Sequence, residues 1–220
     1  MNTQENSIDV SYRVAQPHEL DAISRLAAQS FGEYPFFAFV FREQFDSYPD
    51  YLNYMTALDR MVIKAYMSKK ICLIGESHHR IVSIALLDNP DTRAIGISDY
   101  IHAGGLGLVK GVGLVRLLEF FTISERAQQD CKLKYSQSWY VEMLAVDTQL
   151  KGQGLGTRMI HECVIPFARF HNGSSLSLIT NTEKNRRFYQ ANGFTEFSQT
   201  LLENHGNTIS NWSFYMNFAN

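Results

Sequence analysis

The 220-residue sequence has no long apolar run and only three cysteines. No segment reaches the ~18 uninterrupted apolar residues of a membrane-spanning helix, so we expect no membrane association. Cys72, Cys131 and Cys163 form neither a CxxC pair nor a metal-binding spacing, so we expect reduced thiols and no metal site. The polar first residues carry no apolar signal segment. The expected location is therefore the cytoplasm.

Strong charge of either sign is also missing. The formal net charge is -2 and the sequence pI is about 6.4. Such a balance implies no basic surface, so nucleic acid is not an expected partner. Hydrophobic residues make up 45% of the chain, which is enough for a proper core. Length and composition together predict one globular domain over residues 1–220.

The hydrophobic periodicity predicts an α/β fold with seven strands. The predicted strands cover about 8–14, 71–74, 81–87, 139–146, 175–180, 194–202 and 208–218. The predicted helices begin near residues 17 and 50 and cover about 114–129, 155–170 and 185–191, and Pro166 should kink or end the fourth. Residues 75–80 should form a hairpin loop, and residues 88–138 an insertion between strands. Consecutive strands favour antiparallel pairing, whereas the strand-helix-strand unit 139–180 favours a parallel pair.

A glycine-rich loop, Lys151-Gly152-Gln153-Gly154-Leu155-Gly156, lies between a predicted strand and a predicted helix. Its backbone N–H groups and the helix N-terminus can bind an anion, and its glycines permit a positive φ and close approach. Lys151 adds a flexible cation. The loop is therefore suited to a pyrophosphate.

Other glycine loops fit this sequence less well. A Walker loop ends in Gly-Lys-Ser/Thr, whereas here Gly156 is followed by Thr157 and Arg158. A dinucleotide fingerprint would need a third glycine where Met159 stands. A glycine-rich turn without a ligand is the remaining alternative.

Two segments carry a family resemblance. Residues 144–156, an apolar strand ending in Val146 followed by the glycine loop, are similar to the acetyl-CoA signature of the GNAT N-acetyltransferase superfamily. Residues 180–194, with Asn185, Phe188, Tyr189, Gly193 and Phe194, resemble the Asn-x-x-Phe-Tyr-x-x-x-Gly-Phe segment of that family. The chain also looks, more loosely, like the puromycin-acetyltransferase-like branch.

This resemblance implies the GNAT fold: a mixed, mostly antiparallel central sheet with a central parallel strand pair and flanking helices. It also implies direct transfer of an acetyl group from acetyl-CoA to a primary amine of a small molecule. Tyr189 would be the general acid and Glu142 a candidate base, although a packed aromatic and a salt-bridged strand glutamate are the alternatives. The expected cofactor-binding residues are Leu144, Ala145, Val146, Lys151, Gly152, Gln153, Gly154, Gly156, Thr157 and Asn185.

The acceptor pocket is expected between the aromatic stretch 34–41 and the insertion 88–138. Aromatic side chains there could bind an apolar or aromatic amine, or they could seal the core or a homodimer interface. The glycines of the insertion could belong to a mobile lid or to close helix packing. A protein N-terminal or lysine acetyltransferase and a non-catalytic acetyl-CoA-binding module are the alternative functions.

Overall fold

The computed structural model describes residues 8–219, which form one seven-stranded mixed sheet with helices on both faces. The strand order is β1-β2-β3-β4-β5-β7-β6, and only β4 and β5 pair in parallel. The strands are β1 (Ser11–Val14), β2 (Ile71–Ser77), β3 (Arg80–Asp88), β4 (Trp139–Val146), β5 (Ser175–Thr180), β6 (Thr195–Asn204) and β7 (Asn207–Asn217). The predicted fold class is confirmed.

Eight α-helical segments connect and cover these strands in the described part of the chain. They are α1 (Leu20–Phe31), α2 (Pro35–Phe41), α3 (Tyr48–Lys69), α4 (Ile97–His102), α5 (Val109–Lys134), α6 (Leu155–Arg158), α7 (Ile165–Phe170) and α8 (Glu183–Ala191). Helices α1, α2, α3 and α5 pack on one face of the sheet, and the helical stretch 155–170 packs on the other.

Both long hairpins turn through two residues in the left-handed region. His78 and His79 have φ of 47° and 60°, and His205 and Gly206 have φ of 48° and 82°. Two such residues suit the tight turn that matches the twist of paired strands. The hairpin loop predicted over residues 75–80 is therefore wrong in length, because residues 75–77 and Arg80 pair within the sheet.

The helical stretch after the glycine loop is continuous over residues 155–170, as predicted. A π-helical segment, Met159–Val164, joins α6 to α7, and Pro166 lies in the first turn of α7. The wider turn accommodates a residue that lacks an N–H donor. The predicted early end at Pro166 is therefore wrong.

The insertion between β3 and β4 is mostly helical and is long enough to reach the site. Inside α5, Gly113 has φ 81° and ψ 159°, so a regular helix runs only from Leu114, where the sequence predicted its start. It continues to Lys134, beyond the predicted end at Gln129, because Ala127 and Cys131 pack onto the sheet. That the whole chain is a single domain stays a prediction.

None of the helices in residues 8–219 combines the length and the apolarity needed to cross a membrane. Cys72, Cys131 and Cys163 are free and buried, and burial raises the pKa of each thiol. They therefore behave as small core residues.

The centre of the sheet should be the most sensitive part of the core. Ile84 lies on β3 and is fully buried, so Ile84→Ala should lower the free energy of unfolding by about 2 to 5 kcal/mol because it leaves a cavity. Leu201→Ala is the matched control, since Leu201 is 64% exposed on β6 and should change stability by about 0.5 kcal/mol or less. Urea unfolding followed by circular dichroism measures both, and equal losses would contradict this assignment of the core.

Candidate active site

The sheet opens at its centre, between β4 and β5. These strands pair only at Trp139 with Leu176 and at Tyr140 with Ser177, although β4 continues to Val146 and β5 to Thr180. From Val141 onward, β4 therefore has one edge that makes no ladder with β5. A strand edge of this kind presents free backbone donors and acceptors to a ligand.

A β-bulge at Glu142 determines which side chains of β4 face the site. Met143 is opposite Leu86 and Val141 is opposite Leu87, so Glu142 has no partner on β3. The extra residue changes the face that the following side chains occupy. Val141 packs in the core under α6 and α7, whereas both Glu142 and Met143 face α3 and α5.

The glycine loop has the geometry of an anion site. Gly152 and Gly154 have φ of 86° and 73°, which side-chain-bearing residues rarely adopt. The first backbone bond of α6 is made by Arg158 N–H to Gly154 O at 2.9 Å. The N–H groups of residues 155–157 precede that bond, so they have no acceptor within the helix. Gly156 is required for another reason, since a Cβ there would lie 3.0 Å from the Phe188 ring.

A groove of about 430 Å³ runs from this loop along the open edge of β4. Eight of the ten predicted cofactor residues line it: Leu144, Val146, Lys151, Gly152, Gly154, Gly156, Thr157 and Asn185. Ala145 and Gln153 do not, because the Ala145 side chain lies in the core on the other face and Gln153 is exposed beside the loop.

Sequence reasoning missed four residues of the groove: Leu150, Leu155, Lys184 and Phe188. Lys184 adds a second exposed cation beside Lys151, and the Phe188 ring forms part of the wall. Both belong to α8, which begins earlier than predicted because the Thr182 hydroxyl accepts from Asn185 N–H at 3.1 Å. A threonine three residues before the asparagine is a helix-start signal that could have located Lys184.

A second, smaller cavity of about 110 Å³ lies on the side of α2, α3 and α5. Its aromatic wall is formed by Phe31, Tyr34, Phe36, Phe37 and Phe120, and its polar groups include Asp59, Ser124, Gln128, Glu142, Thr180 and Asn181. Both segments that the sequence proposed for the acceptor pocket contribute to it, through α2 and α5. The aromatic stretch 34–41 also seals part of the core, which was the alternative role, since Val40 and Phe41 are buried there.

The groove and the cavity meet at three residues, Leu144, Asn185 and Tyr189, which line both. A ligand lying along the groove and a ligand within the cavity would therefore approach each other at this junction. Close approach of two bound reactants is what a transfer reaction requires.

Tyr189 is held at the junction by the end of α8. Gly193 has φ 88°, and Phe194 N–H donates to Tyr189 O at 3.0 Å, which closes the helix as the Asn192-Gly193 pair predicted. The Tyr189 ring is buried and packs against Phe188 and Phe194, with centroid distances of 5.2 and 5.5 Å. Burial raises the pKa of Tyr189 well above its ordinary value, so the phenol stays protonated at neutral pH.

Glu142 lies in the cavity wall and is not a solvated strand residue. Gln128 Nε2 of α5 donates to Glu142 Oε2 at 3.1 Å. Burial raises the pKa of Glu142 above its ordinary 4.5, although the charge of Lys132 and the neighbouring hydroxyl of Tyr66 oppose the shift. A raised carboxyl pKa makes a better proton acceptor near neutral pH.

Tyr34 fixes the end of β5 beside the cavity, a role that sequence reasoning missed. Its hydroxyl accepts from Asn181 N–H at 2.8 Å and lies 3.1 Å from Thr180 Oγ1. The contact joins residues 147 positions apart, so only the folded chain reveals it. Asn181 in turn donates to Ser210 O at 2.9 Å, which ties the site to β7.

Comparisons with known proteins agree with this geometry. Residues 110–196 match the family model described as acetyltransferase (GNAT) domain. The chain therefore contains a GNAT acetyltransferase domain over residues 110–196, and it is an acyltransferase. No curated protein sequence matches the chain.

Solved structures share the fold at low sequence identity. A Corynebacterium glutamicum protein described as histone acetyltransferase HPA2 and related acetyltransferase superposes with a TM-score of 0.66 at 16% identity, over 97% of this chain and 98% of that one. An agmatine N-acetyltransferase gives 0.60 at 17% identity, over 95% and 100%. A Drosophila melanogaster polyamine N-acetyltransferase gives 0.57 at 16% identity, also over 95% and 100%. The puromycin-acetyltransferase-like branch stays a prediction.

The contact between Tyr34 and β5 gives a testable consequence for stability. Tyr34→Phe removes the acceptor of a buried N–H group and should lower the free energy of unfolding by about 1 to 3 kcal/mol. Tyr48→Phe is the control, because the Tyr48 side chain is 42% exposed and its loss of a hydroxyl should cost about 0.5 kcal/mol or less. Urea unfolding of both variants measures the difference, and equal stabilities would show that the Tyr34 bond does not hold β5.

Proposed function

We propose that this protein transfers the acetyl group of acetyl-CoA directly to a primary amine of a small molecule. The observation that carries the proposal is the meeting of the groove and the cavity at Leu144, Asn185 and Tyr189. One opening suits a long ligand with an anionic end, and the other suits a compact ligand with an amine. The reacting groups of both would meet at the junction.

The residues of the groove fit acetyl-CoA, which supplies the activated acetyl thioester. The free N–H groups at the start of α6, with Lys151 and Lys184 beside them, suit the pyrophosphate. The open edge of β4 at Leu144 and Val146 suits the amide groups of the pantetheine arm, which pair with backbone as a strand would. Asn185 lines both openings, so it would contact both ligands.

Tyr189 at the junction and Glu142 in the cavity wall suit the proton transfers of the reaction. The amine must lose a proton to attack, and Glu142 with its raised pKa is suited to accept it. The leaving thiolate must gain a proton, and the phenol of Tyr189 is protonated and adjacent. A backbone N–H of the open β4 edge would stabilise the oxyanion.

The shape of the cavity favours a small acceptor over a protein. Helices α2 and α5 cover it, and its volume is about 110 Å³, whereas a peptide terminus or a lysine side chain on a protein needs an open groove. A non-catalytic acetyl-CoA-binding module would have no need for a protonated tyrosine at the junction and a glutamate in the adjoining cavity wall. A protein acetyltransferase and a non-catalytic binding module are the alternative outcomes of the thiol-release experiment.

Release of free thiol from acetyl-CoA, measured over a panel of amines, amino acids and peptides, tests the proposal. We expect turnover with small amines and little with peptides. Peptide turnover alone would indicate a protein acetyltransferase, and a thermal shift by acetyl-CoA without turnover on any amine would indicate a binding module. No thermal shift at millimolar acetyl-CoA would rule out the co-substrate.

Tyr189→Phe should separate chemistry from binding. Loss of a general acid costs about 10² to 10⁴ in turnover, whereas the rise in melting temperature with acetyl-CoA should persist because the ring remains. Tyr215→Phe is the matched control, since Tyr215 stacks on Tyr135 at 3.8 Å and lines neither opening. Equal turnover of wild type and Tyr189→Phe would remove Tyr189 as the acid.

The pH dependence should identify Glu142 as the base. As pH falls through its raised pKa, Glu142 becomes protonated, so kcat/KM should fall on the acid side at a higher pH than an ordinary glutamate would produce. Glu142→Gln should lower kcat/KM by about 10² or more, and its kcat/KM should no longer fall on the acid side through the pKa of Glu142. The same amine is used for both proteins, so the titration of the amine affects both profiles equally. Glu119→Gln is the control, because Glu119 is in a partly buried ion pair with Arg116 and lies outside the cavity lining. An unchanged profile in Glu142→Gln would assign proton removal to water.

A further inference from the structure

Asp59 is a buried carboxyl group that the proposed reaction does not use. It lies on α3, its residue is 1% exposed, and its Oδ2 atom has no hydrogen-bond partner. No hydrogen bond or ion pair to Asp59 is found among residues 8–219. Leaving a buried acceptor unpaired destabilises a protein whether the group is charged or neutral. Such a group therefore points to a missing partner.

That partner has access to Asp59 only through the cavity. Asp59 lines the cavity together with Val62, one helical turn further along α3. The second acid of the lining is Glu142, and none of the described lining residues is Lys, Arg or His. A cavity with two carboxyl groups and no basic side chain selects cations and rejects anionic acceptors.

The two carboxyl groups occupy separate places in the cavity. Asp59 is on α3, whereas Glu142 is on β4, two residues before the junction residue Leu144. Burial alone raises the pKa of Asp59, and the charge of Glu142 does not contribute to the shift. Two carboxyl groups on different elements of one cavity can each pair with a separate basic group of one ligand.

The aromatic wall of the same cavity suits an alkyl chain with cationic ends. The Phe37 and Phe120 rings stack at 6.1 Å, and Phe36 meets Phe120 edge-on at 6.1 Å. Ring faces bind methylene groups by burial and attract ammonium or guanidinium groups. This wall comes from α2 and α5, which lie on the same side of the sheet as Asp59.

We propose that the acceptor is a dication: a primary amine with a second basic group, an amine or a guanidinium, that pairs with Asp59 while the first amine lies beside Glu142 and Tyr189. The proposal rests on the proposed function and narrows its substrate class. Asp59 then sets specificity and takes no part in the chemical step. The second basic group supplies the partner that its carboxylate lacks.

Matched pairs of acceptors test the inference. We would compare linear diamines with amino alcohols of equal length, in which a hydroxyl replaces the second amine, by thiol release in the wild type. Loss of a buried charge pair corresponds to roughly thirtyfold in affinity, so the diamine should have a KM lower by about that factor. Asp59→Asn should erase the difference between the two compounds while kcat on the amino alcohol stays within about twofold of the wild type.

Two more variants separate recognition from folding. Asp59→Leu removes the unpaired carboxyl, so it should raise the melting temperature of the free protein while abolishing the thermal shift given by diamines. Asp21→Asn is the control, because Asp21 pairs with Arg60 on the surface and lies outside the cavity. It should leave the preference for diamines and the thermal shift unchanged.

The outcomes distinguish this inference from the proposed function. Equal KM for diamine and amino alcohol in the wild type, or a diamine-induced thermal shift that survives Asp59→Asn, would overturn the role of Asp59 even if acetyl transfer is confirmed. A diamine-induced shift lost in Asp59→Asn, without thiol release from acetyl-CoA, would support the dication site and overturn the acetyl-transfer proposal.

Discussion

The site depends on the separation of β4 from β5 after Tyr140. A sheet interrupted at its centre leaves backbone groups without ladder partners, and such groups destabilise a protein unless something else bonds to them. Part of this need is met by side chains: Ser30 Oγ donates to Val146 O at 2.7 Å on one strand, and Tyr34 accepts from Asn181 on the other. The backbone that remains free is then available to a ligand.

Charge is divided between the two openings that this gap connects. The described lining of the groove has two lysines, Lys151 and Lys184, and no acid, whereas that of the cavity has two acids and no base. An anionic co-substrate and a cationic acceptor would each be attracted to one side and repelled from the other. Substrate discrimination is in this view a property of electrostatics as much as of shape.

The sequence predicted the elements that depend on local patterns. The bounds of β4 and β5, the glycine loop and the helix end at Gly193 follow from periodicity and turn chemistry, and Tyr189 and Asn185 followed from the family resemblance. Tyr34 and Gln128 were missed because their partners lie far along the chain. Asp59 could have been noticed in the sequence. Met55, Asp59, Val62 and Tyr66 share one face of α3, so an acidic residue lies on an otherwise apolar helix face. The cavity beside α3, which makes this acid accessible, was not predicted.

The bulge at Glu142 has a consequence for how this strand can change in evolution. The buried and partly exposed residues of β4 alternate without interruption from Trp139 to Val146, so the sequence looks like an ordinary strand. The residues before and after Glu142 nevertheless face opposite sides of the sheet. A substitution on β4 changes a single side chain, whereas deletion of one residue would turn Leu144 and Val146 away from the groove. Among homologues, we expect this strand to be conserved in length.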